Sequence, residues 1–129
     1  MIVNAGYDLI CDNTANPTQP APAKYMALTA NATAAAATDT TLTAEIVTGG
    51  GGLIRVASVY AHTTTTKIFT LTKTFTVNGS DTIPVTIAKF GIFNAASSGS
   101  LFCENVLAAT ATLSAIGDQL TITETVTFS

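Results

Sequence analysis

Two stretches, IFTLTKTFTV (68–77) and QLTITETVTF (119–128), alternate apolar side chains with threonine. A period of two puts one set of side chains on each face of a β-strand, and a helix could not bury such a pattern. Phe69, Leu71, Phe75 and Val77 share one face of the first strand, and Leu120, Ile122, Val126 and Phe128 share one face of the second. Each apolar face carries a single charge, Lys73 in one and Glu124 in the other, of opposite sign. Two arrangements account for this. Lys73 and Glu124 form a partly buried pair, across neighbouring strands or a subunit boundary, that fixes register. Otherwise each charge snorkels at a wet edge.

The rest of the chain extends the β reading. Tyr25–Thr29 is expected as a strand, 30–38 as a loop, and Asp39–Ile46 as a short helical turn capped by Asp39. Gly49–Gly52 lacks the Lys-Ser/Thr ending of a phosphate loop and reads as a flexible connection. LIRVASVYAH (53–62) is apolar on both parities, the pattern of a central strand covered on each side. Residues 83–93 form a further strand, with Gly91 marking a bulge or a close approach. Residues 101–115 form one bent strand or two short ones, and turns lie at 63–66, 78–81, 94–100 and 117–118. Short strands at this spacing predict an all-β fold, a single antiparallel β-sandwich or jelly-roll-like domain over 25–129.

Three of the four prolines fall in NTANPTQPAPAK (13–24), so residues 1–24 are expected as an extended N-terminal arm and connector. Its apolar segment YDLIC offers Tyr7, Leu9 and Ile10 to its own domain or to a neighbour. A length of 129 residues gives one domain.

Charged residues make up 10% of the chain, against about 25% in an average domain, while roughly a fifth is threonine. A threonine surface has no long, strongly hydrated side chains to order, which suits lasting contact with neighbours as well as a solvated β face. The net charge of −3, with Lys24, Arg55, Lys67, Lys73 and Lys89 scattered singly, argues against nucleic acid. No stretch reads as a secretory signal or a transmembrane helix. Cys11 and Cys103 lie far apart and are expected as small buried hydrophobes in a reducing cytoplasm.

Chemistry is sparse. His62 is the sole histidine, and no Gly-x-Ser-x-Gly elbow accompanies it. The acids form no calcium loop, and one histidine with two distant cysteines makes a zinc site unexpected. There is no tryptophan to line a sugar site. The sequence therefore predicts no enzyme, no metal and no cofactor. Glu45 and Arg55 flank the glycine joint and are expected to bridge it; a contact from Arg55 to a partner is the alternative.

ALTANATAAAATDTTLTAEI followed by GGLIR resembles the N-terminal signature of small virion proteins of tailed bacteriophages. VTIAKFGIFNAASSGSLF resembles their strand–GIFNA–turn–strand element, and GDQLTITETVTF their closing strand. The resemblance spans about residues 25 to 128 and implies a tail-fibre-like protein or a capsid decoration or cement protein. With no repeats and no heptads, the chain fits a compact accessory subunit better than a shaft. The function so implied is stabilisation of the head shell. The expected partners are the major capsid protein or other virion proteins, with the chain a homo-oligomer such as a trimer. It would be assembled in the host cytoplasm and located in the virion, and the arm would bridge to a neighbour. A tail fibre or tail adaptor, or a host-surface carbohydrate-binding module, is the alternative.

Overall fold

The computed structural model describes all residues, 1–129. A helix, α1 (Asn4–Ala15), precedes seven strands: β1 (Tyr25–Thr29), β2 (Val56–Ala57), β3 (Val59–His62), β4 (Ile68–Thr76), β5 (Val85–Phe93), β6 (Leu101–Leu113) and β7 (Gln119–Thr127). They form two antiparallel sheets, a four-stranded sheet in the order β2-β1-β5-β6 and a three-stranded sheet in the order β3-β4-β7. The sheets pack as a sandwich around a shared core that includes Met26, Leu28, Phe90 and Ile92 from one and Leu71, Phe75 and Ile122 from the other. The alternation of β4 and β7 works as expected, since one parity fills this core and the other, threonine, faces out.

The four-stranded sheet is buried on both faces along β1, most of β5 and the start of β6. On its outer side Leu42, in the segment between β1 and β2, packs onto Gly91 and joins Val3, Ala27, Phe93 and Leu101 in a second apolar cluster. The Thr29 hydroxyl donates to the carbonyls of Thr43 and Ala44, tying this segment down as a strap. Asp39–Ile46 is therefore no helical turn: Glu45 bridges to Thr29 in β-fashion and the Ile46 N–H donates to Leu28.

Three further expectations need correction. Residues 53–62 are not one central strand. The chain breaks at Ser58, whose N–H and hydroxyl both donate to the Lys24 carbonyl, and passes from the four-stranded sheet to the exposed edge of the other. The two apolar parities thus serve two sheets rather than two faces of one. The N-terminal residues are not an extended arm. Residues 1–3 run along the edge of β6, with bonds from Val3 N–H to Phe102 O and from Glu104 N–H to Met1 O, and α1 then packs on β6. Only the proline-rich residues that follow, up to 24, lack regular structure.

Nor is the glycine joint loose. The Asp81 carboxylate accepts from the N–H groups of Gly52, Leu53 and Asn78, and a Cβ at Gly52 would lie 1.8 Å from the Thr76 carbonyl oxygen. The joint is clamped to the end of β4. Asp81→Ala is expected to leave three donors without an acceptor and to lower stability by about 2 kcal/mol. A urea titration would show this as an earlier midpoint, and an unchanged midpoint would contradict the clamp.

Candidate functional site

The outer face of the three-stranded sheet is built by register. Thr70, Thr72 and Thr74 of β4 stand opposite Thr125, Thr123 and Thr121 of β7, and Thr76 stands opposite Gln119. Hydroxyls meet across the strands at 3.1 Å for Thr72 and Thr123 and at 2.7 Å for Thr74 and Thr121, and the Gln119 amide donates to Thr76 at 3.2 Å. Val59 of β3, paired with Thr72, continues the face and is 71% exposed. No charged side chain lies on it. Because four of these hydroxyls already bond in pairs, covering the face removes fewer bonds to water than unpaired hydroxyls would lose, and it requires little side-chain ordering.

At the adjoining end, Tyr60, Phe69 and Phe128 form a row, with ring centroids 5.8 and 6.0 Å apart. They line an apolar groove of about 630 Å³ whose far wall is α1, through Leu9, Ile10 and Thr14. Tyr60 is 60% exposed and Phe128 44%. Exposed aromatic rings beside an apolar trough are suited to accept an apolar side chain or the face of a sugar ring.

The residues of the expected N-terminal contact therefore separate. Leu9 is buried and Ile10 half-buried along the groove, while Tyr7 is exposed on α1 and does not line it.

Within the chain Lys73 and Glu124 are not partners. Register sets Lys73 opposite Ile122 and Leu71 opposite Glu124. Because β3 pairs with β4 only as far as Thr72, Lys73 lies beyond the edge and reaches an open depression beside Gly52 and Val56. Glu124 turns inward and accepts from the Asn105 amide of the facing sheet at 2.9 Å, and the N-terminal ammonium of Met1 donates to that Asn105 side chain. Burial pushes the Glu124 carboxyl above its usual range, against the pull of the Asn105 bond.

Glu45 and Arg55 meet in a two-pronged pair, with contacts of 2.6 and 2.8 Å. Arg55 also donates to the carbonyls of Ala95 and Ser98 and lies 3.5 Å over the Phe93 ring. Its donors are spent on Glu45 and the 94–100 turn, so its geometry is that of an internal clamp.

The sequence reading missed a buried ionic cluster under the strap. Lys89 and Glu104, on the outer side of β5 and β6, are 2% and 0% exposed and lie 3.1 Å apart. Burial, and then the neighbouring Asp39 side chain, raise the Glu104 carboxyl, while Lys89 pulls it down. Glu104, followed by the Ala36 N–H, holds Asp39 below its usual value. The only sequence signal was a charge inside each of two otherwise apolar strands.

Cys103 is buried, and burial pushes its thiol up to about 12; Cys11 is exposed on α1 rather than buried, and the two cysteines are free. His62 sits at the β3 edge with Nδ1 2.8 Å from the Ile68 carbonyl oxygen. A scan against protein-family models finds no match to this chain, and a search of curated proteins returns none.

Proposed function

We propose that the chain is a structural protein of a tailed-bacteriophage particle, a decoration or cement subunit that reinforces the head shell by adding contact area. The observation that carries the contact role is the uncharged, hydroxyl-paired outer face of the β3-β4-β7 sheet. The placement in a virion is supported by the sequence resemblance. On this reading the major capsid protein or another virion protein covers the threonine face. The hydrophobic gain at its Val59 margin and the low cost of drying threonine both favour a lasting interface. The chain would act as a homo-oligomer on the particle.

A second reading draws on a different feature. The aromatic row Tyr60–Phe69–Phe128 favours a tail-borne module that binds host-surface carbohydrate. Sedimentation of the purified protein with empty heads, and separately with host-surface polysaccharide, divides the two. Saturable binding to heads, at a copy number matching the repeat of the shell, is the expected result. Binding to polysaccharide alone would overturn the shell assignment.

A further inference from the structure

The free edge of β7 is a ready template for another strand. Val77 N–H donates to Asp118 O and Phe128 N–H to Lys67 O, which fixes the phase of the β4–β7 ladder. Leu120, Ile122, Glu124 and Val126 turn their backbone groups toward β4. Gln119, Thr121, Thr123, Thr125 and Thr127 therefore aim N–H and C=O the other way, where β7 ends the sheet and no side chain or loop bonds to them.

Edges of this kind are normally blunted by lysine, proline, a bulge, shortness or an inward-pointing charge. β7 runs nine residues in unbroken register with β4 and contains no Lys or Pro, and its one inward charge, Glu124, is already held by the Asn105 amide of its own domain. Of the other edges, β2 and β3 are two and four residues long, and β6 is covered at its start by residues 1–3 and runs irregularly against β5 beyond it.

The pattern of β7 is also complementary to itself. We propose that β7 pairs antiparallel with β7 of a second copy about a twofold axis at Thr123, joining the two three-stranded sheets into one. This register uses the whole strand and matches outward backbone groups with outward backbone groups. On the outer face it sets Thr121 opposite Thr125 of the second copy and Gln119 opposite Thr127. These repeat the threonine–threonine contacts that β7 already makes with β4. On the inner side Leu120 meets Val126 and Ile122 meets Glu124 of the second copy, so each carboxylate stands opposite an apolar side chain and not a like charge. The interface is isologous and closes as a dimer. The pairing gives a structure to the homo-oligomer part of the reading above but does not depend on the virion assignment, and a solution experiment tests it alone.

That experiment is sedimentation equilibrium of the purified full chain over a concentration series. The wild type is expected to dimerise. The double variant Thr121→Lys, Thr125→Lys sets like charges opposite each other twice across the twofold axis and should weaken the dimer about tenfold. The variant Thr121→Lys, Thr125→Glu, altered at the same exposed positions, sets opposite charges across the axis and should dimerise at least as well as wild type. Circular dichroism on both variants checks that the fold is kept. A monomeric wild type, or equal weakening by the two variants, would overturn the proposal.

Discussion

Replacing Glu104 by leucine is expected to destabilise the domain by about 3–5 kcal/mol, because it strands the Lys89 ammonium beneath the strap. Both side chains are almost fully buried, so no water can replace the lost partner. Lys89→Met should cost less, since the Glu104 carboxyl can then take a proton and become neutral, which its burial already favours. The double variant Lys89→Met, Glu104→Leu should recover most of the loss, because a buried ion pair contributes little net stability beyond what apolar packing of similar volume supplies. Urea unfolding of the four proteins gives the coupling directly, and additive single effects would contradict the pairing. This cluster and the separate Glu124 carboxyl together set a pH response. The carboxyls of Glu104 and Glu124 titrate above their ordinary range in the folded state. The folded protein therefore holds more protons than the unfolded chain between the ordinary and the raised values, and stability falls as pH rises through that window. Asp39 acts in the opposite sense, at the acid end, as pH falls below its ordinary value.

A single methyl-sized change at Gly6 should have a comparable effect on α1. A Cβ at Gly6 would lie 2.0 Å from the Phe102 carbonyl oxygen, a backbone atom that cannot move without breaking the edge of β6. Gly6→Ala is expected to lift α1 from the sheet and cost about 3 kcal/mol. Val3 and Leu9, both buried, would be exposed with it. The expected readout is a lower unfolding midpoint together with fast hydrogen exchange confined at first to residues 1–15. Wild-type exchange there would show that α1 is not held by this contact. Deleting the N-terminal segment should likewise damage the fold, as expected of a segment packed on its own domain rather than a free arm.

The two strands with strict alternation were legible because one face is core and the other is solvent, so the period reports the environment directly. The same logic failed at 53–62, where apolar residues on both parities reflect a crossing between sheets at Ser58 rather than burial on both faces of one sheet. It failed for α1 as well. Asn4–Ala15 has little intrinsic helicity and no side-chain cap, and packing on β6 holds it. The spacing of Gly6, Leu9, Ile10 and Asn13, with no proline before residue 17, was the signal available. Parity placed Lys73 and Glu124 on the inner face, but their partners depended on where β3 ends and on which residue of the facing sheet lies above, neither of which a strand pattern encodes. Lys89 and Glu104 were hidden for a related reason, since only the strap from residues 30 to 46 turns the outer side of β5 and β6 into an interior. The threonine face was present in the sequence as composition and alternation. The register added the hydroxyl pairs that make it cheap to cover.

The proposed function stands or falls on whether that face meets a virion protein. The most direct measurement is occupancy on particles lacking the protein, comparing the wild type with a Thr72→Lys, Thr74→Lys variant whose fold is checked by circular dichroism. The account predicts that the wild type fills the shell sites and that the variant, with two hydrated cations to bury, loses most of its occupancy. Equal occupancy by a folded variant would contradict it.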